Sequence, residues 1–505
     1  MLDIGKAFRC AVVFLYPLVL LGCNAPWSSE SSSDTSSRGS ANDPLSEFKL
    51  LFDWNVQTDN FICSGIGANN NLISVGVSFS PTDIQLNTNA IDDLQGYVED
   101  NFHGRIEVVG RENRLGILNL EMLECDALGA LRALPAVEFV EAKYVSPISQ
   151  EDVFDQALEM QFRASIQDAN GEDAAMVDDA EEEPFNPGLY DPDMSEKSYV
   201  SHVRDIEERA ADRIERHGLN RIYEEFGFYG APTVGVAVVD NGVFDSEIDY
   251  LSQGRGDFTA EGYVRAFGAE ESDGYQPQPY DLFGLLQFIT NMYKHGTTQT
   301  KLVYTMAPHI NIKSVRGAPF VFWFMPEQFQ GAVDSILALA EDPTVKVISG
   351  SMGTIIHVHE IERAIEYFNA KDKLYFSAAG TTMPYLKEIV KVVFPASLSS
   401  TISATGIKST IETGGEFVLG RDAHGGPETD FVVDHSDDSS QAVSTTAGMV
   451  GLLWSYNPSL TRAQMLEILV SSSSNYQRSG GKDPIFGWGK IDFYSAFLKV
   501  KSLSD

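Results

Sequence analysis

Apolar and polar residues alternate from Leu72 to Phe79, the two-residue period of a strand with one buried face. Ala90 to Phe102 shifts to helical spacing, and Arg105 to Val109 and Arg114 to Leu120 return to strand spacing. Cys125 to Leu134 is again amphipathic, and Val137 to Val145 reads as a last strand. The order β-α-β-β-α-β is the split βαβ arrangement, so a small ferredoxin-like α+β domain is expected within residues 48–150. Val203 to Phe226 has helical spacing with many charges. Beyond it, short β-rich apolar runs alternate with helical stretches, punctuated by Gly and Pro. This pattern predicts an α/β domain over residues 201–505, its mostly parallel sheet covered on both faces.

The remaining stretches lack such periodicity. Lys6 and Arg9 precede an apolar run from Ala11 to Leu21, too short to span a membrane, which identifies residues 1–22 as a targeting segment. The run ends in Leu20-Leu21-Gly22-Cys23, which resembles the lipobox of bacterial lipoproteins. That resemblance implies cleavage before Cys23 and acylation of its thiol and amino group, and two or more acyl chains give stable anchoring. It places the protein in a bacterial cell envelope, with Asn24 favouring the outer membrane where the cell has one. A plain secretory signal cut elsewhere is the alternative. Residues 23–47 are a Ser-rich tether, and residues 151–200, with Glu181-Glu182-Glu183, an acidic linker. The formal net charge of −36 excludes nucleic acid as a partner, since phosphates would be repelled. With Cys10 removed and Cys23 acylated, Cys63 and Cys125 remain where disulfides persist; their pairing is left open.

Three short motifs carry the candidate chemistry. Val234 to Val239 is an apolar run suited to a buried parallel strand, and it delivers Asp240-Asn241-Gly242 at its C-terminal edge, where open α/β sheets place their sites. His295-Gly296-Thr297 follows, running quickly into Met306-Ala307-Pro308. Asp438-Ser439-Ser440-Gln441 opens an apolar helix through Ala447-Gly448. Their form and order resemble the Asp, His and Ser motifs of the subtilases, with Ser440 in the nucleophile's register. Leu131 to Glu141 resembles the close of subtilase propeptides, which in that family pack on the protease, assist its folding and inhibit it.

The resemblance implies a subtilisin-like fold with a six- or seven-stranded sheet and a serine endopeptidase acting on peptide or protein substrates. Ser440 would attack, His295 would take its proton, and Asp240 would hold the imidazole. Ser351-Met352-Gly353 and Ala378-Ala379-Gly380 would wall the substrate cleft, where an extended peptide adds as a strand. Several positions depart from the family. Thr381 stands where an asparagine amide donates to the oxyanion, Asp438 replaces a glycine, Ser444 a proline, and Gln299 and Lys301 replace small or apolar residues. Those departures motivate a second reading, a catalytically weak or inactive binding lipoprotein. A third is a hydrolase using Ser351 with Asp422 and either His424 or His435. No cofactor is required. Subtilases often bind structural calcium, yet no loop has recognisable ligand spacing, and His357-x-His359 has no identifiable third ligand, so no metal site is assigned.

Overall fold

A computed structural model describes Cys63 and residues 72–143, 211–264, 272, 274–276, 294–321, 323, 326–381, 391–408 and 416–504. The targeting segment, Cys23, the tether and the acidic linker lie outside the described residues.

The N-terminal unit runs β1 (Leu72–Val77), α1 (Ile84–Asn101), β2 (Ile106–Glu112), β3 (Ile117–Met122), α2 (Ala127–Arg132) and β4 (Val137–Ala142). Its strands form an antiparallel sheet in the order β2-β3-β1-β4, the expected split βαβ topology. Helix α1 starts at Ile84 rather than Ala90, because Asp83 caps it by accepting the Leu86 N–H at 2.9 Å. Ile91, Leu94 and Val98 on its inner face pack with Ile73, Val75 and Val77. A disulfide joins Cys63 to Cys125, with Cα atoms 5.3 Å apart.

The larger unit is built on a sheet of eight strands, one or two more than expected. β5 (Gly235–Asp240), β6 (Phe258–Gly262), β7 (Asn311–Arg316), β8 (Val345–Gly350), β9 (Leu374–Ala378) and β10 (Ile402–Lys408) lie in the order β10-β9-β8-β5-β7-β6, all parallel. The additional strands are short: β11 (Val418–Leu419) pairs antiparallel with β10, and β12 (Phe431–Asp434) pairs with it in parallel. Around the sheet lie α3 (Leu219–Phe226), α4 (His295–Met306), α5 (Pro326–Glu341), α6 (His359–Ala370), α7 (Ser439–Tyr456), α8 (Arg462–Ser471) and α9 (Phe493–Ser502). One hydrophobic cluster fills the face under α4 and α7, with Val236, Val238, Leu302, Val303, Val443 and Leu453 buried in it. The cluster on the opposite face, under α5 and α6, is continuous with the core of the N-terminal unit.

The long helix expected over Val203 to Phe226 is interrupted. Gly218 adopts φ 77°, in the left-handed region, and α3 restarts at Leu219. Of the expected span, residues 203–210 lie outside the described residues.

The N-terminal sheet docks on α6. Arg363 donates to the carbonyls of Leu115, Gly116 and Val77 and to Glu138, at 2.6–2.9 Å. Glu141, only 2% exposed, accepts the backbone N–H groups of His359 and Glu360 at 3.1 and 3.0 Å. A β4 carboxylate thus satisfies the otherwise unpaired donors at the start of a helix in the other unit.

Candidate active site

The site sits at the C-terminal rim of the parallel sheet. β5 is buried along its whole length, so it is anchored on both faces and ends by presenting Asp240, 0% exposed, beneath the rim. Asn241 Oδ1 accepts the Gly296 N–H at 2.8 Å, which holds the first turn of α4 against the end of β5. Gly296 is required there: a Cβ would lie 2.4 Å from the Gly242 carbonyl oxygen. This places His295 Nδ1 2.9 Å from each carboxylate oxygen of Asp240. Burial alone would lower the imidazole pKa, but the Asp240 charge and hydrogen bond, with a contribution from Asp438, outweigh it and the net shift is upward. With Nδ1–H donated to Asp240, the lone pair that can accept a proton lies on Nε2.

Helix α7 brings Ser440 to the same rim. Asp438, in place of the family's glycine, caps the helix by accepting the Gln441 N–H at 2.7 Å. Burial pushes the Asp438 carboxyl up, against the opposing pull of that N–H and of the Arg213 and His295 charges. Gly448 allows α7 to press on α4, since a Cβ would sit 2.9 Å from Met306 Cβ. Ser444, where the family has proline, meets Ser349 hydroxyl to hydroxyl at 3.1 Å beneath the sheet end. Lys301 forms a buried ion pair with Glu247 at 3.0 Å and lies over the Tyr250 ring, so its departure from the family pattern is structural.

Ser440 itself is 8% exposed, and among the described residues no hydrogen bond joins its hydroxyl to His295. Gln299 Nε2 instead approaches His295 Nε2 at 3.4 Å, from one turn further along α4. The sequence marked Gln299 as unusual; its position one turn after His295 is the signal that it can reach the ring.

Thr381 is exposed at the end of the segment after β9. Its hydroxyl accepts the Ser439 N–H at 3.2 Å and lies 2.8 Å from Ser439 Oγ, which in turn accepts the Gly380 N–H at 3.1 Å. A Ser439 proton directed at Thr381 leaves the threonine's own proton available; the reverse consumes it.

The two expected cleft walls are adjacent, because β8 and β9 pair up to Gly350 opposite Ser377. Ser351 is buried and donates to the Ser440 carbonyl at 3.2 Å, and Met352 is 2% exposed. Ala378 and Ala379 are buried, and Gly380, at φ 133°, comes so close to His424 that a Cβ would lie 2.7 Å from its Nδ1. Gly353 departs from a free edge. Its N–H donates to the Val321 carbonyl at 3.1 Å, and its own carbonyl accepts the Trp323 N–H at 2.8 Å. The edge on which a peptide would pair is thus engaged by the chain itself.

For the Ser351 alternative, the Ser351 hydroxyl donates to the Ser440 carbonyl, and among the described residues no hydrogen bond joins it to His424, which is fully buried, or to His435. His435 pairs with Asp212 at 2.7 Å and Asp422 with Arg421 at 3.1 Å.

A family model described as the Subtilase family matches residues 232–489 of the chain. Several solved structures share the fold, two of them over most of this chain. The epidermin leader peptide processing serine protease (EpiP) from Staphylococcus aureus is 13% identical, with 84% of this chain and 97% of that chain covered and a TM-score of 0.50. Fervidolysin from Fervidobacterium pennivorans, a keratinolytic enzyme related to subtilisin, is 16% identical, with 85% of this chain and 60% of that chain covered and a TM-score of 0.50. No curated protein matches the chain.

Proposed function

This chain belongs to the subtilase family, and from that premise we propose that it is a serine endopeptidase that cleaves peptide bonds with Ser440, His295 and Asp240. The observation that carries the reading is the contact of His295 Nδ1 with both oxygens of buried Asp240 at 2.9 Å, beside the helix that begins at Ser439. A serine hydroxyl is a poor nucleophile until a base takes its proton, and His295 Nε2 has the lone pair for that step. Gln299 must swing aside first. Asp240 then stabilises the imidazolium, and the Ser440 N–H, at a helix start, donates to the tetrahedral oxyanion with Thr381 as the second donor. Collapse of that intermediate returns the proton from His295 to the leaving amine, and water repeats the sequence on the acyl-enzyme.

The N-terminal α+β unit serves as propeptide, held on α6 through Glu141 and Arg363. Cys23 carries the lipid that tethers the protein in the bacterial envelope, on the grounds of the lipobox-like Leu20-Leu21-Gly22-Cys23. Substrates are then envelope or secreted proteins.

A second reading, a subtilase fold kept for binding, is favoured by two observations. Gly353 already pairs with Val321 and Trp323, and Gln299 lies against His295 Nε2. Digestion of an unfolded protein substrate decides between them. Cleavage by the wild type that disappears in Ser440→Ala supports the peptidase; no cleavage after removal of the N-terminal unit supports the binding module.

A further inference from the structure

The sequence offers His357 and His359 without a third ligand, and the fold supplies one. His359 opens α6 and Glu362 follows one turn later, which puts both on one face near His357 in the preceding loop. One candidate ligand atom from each of His357, His359 and Glu362 lies within 4.8 Å of the others. His357 Nε2 is 2.8 Å from Glu362 Oε2. Across the seam, Glu141 Oε2 of β4 lies 3.3 Å from His359 Nδ1.

We propose that His357, His359 and Glu362 bind a divalent transition-metal ion of the zinc class, with Glu141 as the carboxylate that orients His359. The proposal does not rest on the peptidase reading.

Two imidazoles and one carboxylate are a donor set that zinc takes, with the fourth position left to water. Bonds of about 2.0–2.1 Å place tetrahedral ligands roughly 3.4 Å apart, so the 2.8 Å contact between His357 and Glu362 must open a little and separations of up to 4.8 Å must close by side-chain rotation. The side chains have room to do so, being 44% exposed for His357 and 29% for Glu362, and 30% exposed for His359. Metal entry displaces the proton shared by His357 and Glu362. When His359 donates Nδ1–H to Glu141, the lone pair is left on its other ring nitrogen, the carboxylate–histidine–metal pattern that fixes a tautomer and raises ligand basicity.

The positive end of α6 opposes a cation here by roughly 0.3–1 kcal/mol. Glu362, with buried Glu141, supplies compensating negative charge; Glu360 is committed to Lys143 at 3.0 Å and Glu138 to Arg363 at 2.6 Å. The orienting carboxylate comes from the N-terminal unit and the ligands from the larger one. Metal binding and docking of the two units therefore strengthen each other by the same factor.

The test uses the full chain, stripped with a chelator and titrated with Zn2+ against a chromogenic zinc chelator. One Zn2+ per chain is expected. His357→Ala and Glu362→Ala should each weaken binding about 100-fold or more, and Glu141→Gln about tenfold, the loss typical of an outer-shell partner. His435→Ala, which alters a histidine paired elsewhere with Asp212, should bind as the wild type does. Co2+ bound to the unaltered chain should show the visible bands of a four-coordinate ion, a readout that needs no variant to fold. Less than stoichiometric uptake, equal affinity in His357→Ala and wild type, or an octahedral Co2+ spectrum would each overturn the proposal.

Discussion

Replacing Thr381 with valine tests the oxyanion arrangement, because valine keeps the shape and removes only the hydroxyl. Loss of one oxyanion donor costs on the order of 10²–10³ in turnover, about 2.7–4 kcal/mol. Thr381 is exposed, so water can replace part of its donation, and the lower end applies: kcat should fall about 100-fold with little change in KM. Ser439 sharpens the test. Its hydroxyl, 2.8 Å from Thr381 Oγ1, can direct the threonine's proton outward only by donating to it. Ser439→Ala removes the acceptor that could consume that proton while the Ser439 backbone N–H still donates to Thr381 Oγ1, so kcat should not fall, and Thr381→Val with Ser439→Ala should match Thr381→Val alone. Restoring the family's amide with Thr381→Asn should raise kcat. The assay is steady-state hydrolysis of a fluorogenic peptide whose cleavage is lost in Ser440→Ala. Turnover in Thr381→Val within about threefold of wild type would mean that the Thr381 hydroxyl does not donate to the oxyanion.

Other outcomes follow from the same geometry. His295 must be neutral to accept a proton and its pKa is raised, so kcat/KM should climb with pH through an inflection above the ordinary histidine value. Asp240→Asn should lower that inflection and cut kcat by a factor on the order of 10⁴. His217 is buried with Nδ1 3.1 Å from the Ile491 carbonyl, Nε2 accepts the Asp434 N–H at 3.2 Å, and burial pushes its pKa down to about 4. The unfolded chain therefore binds a proton that the folded chain refuses. Stability should fall as pH drops from about 6.5 to 4, by about 3 kcal/mol, and His217→Gln should flatten that slope in urea titrations. Trp323 pairs with Gly353 through its backbone while its indole is fully buried, so Trp323→Ala should cost about 3–5 kcal/mol of stability in urea titrations, and a loss under about 1 kcal/mol would contradict that burial.

The sheet and the Asp240–His295 pair were legible because local sequence determines them. A strand buried on both faces must be continuously apolar, as Val234 to Val239 is, and its end fixes where Asp240 emerges. The start of α1 was not legible, since Gln85, Asn87 and Thr88 carry no apolar period and the signal lies in the Asp83 cap. Helical periodicity likewise runs through Gly218 unchanged, and only its left-handed φ breaks the helix. Gly353's pairing with Val321 and Trp323, and Thr381's with Ser439, join segments distant in the chain, so no local pattern encodes them. Glu362 is the opposite case. Spaced one turn from His359, it could have been read as the third member of the histidine pair had α6 been placed to start there.

The most direct measurement is mass-spectrometric mapping of the adduct formed when the chain, freed of its N-terminal unit, meets a fluorophosphonate probe. A single modified residue, Ser440, is expected, with labelling lost in His295→Ala. Labelling at Ser351, or at Ser440 with undiminished rate in His295→Ala, would contradict it.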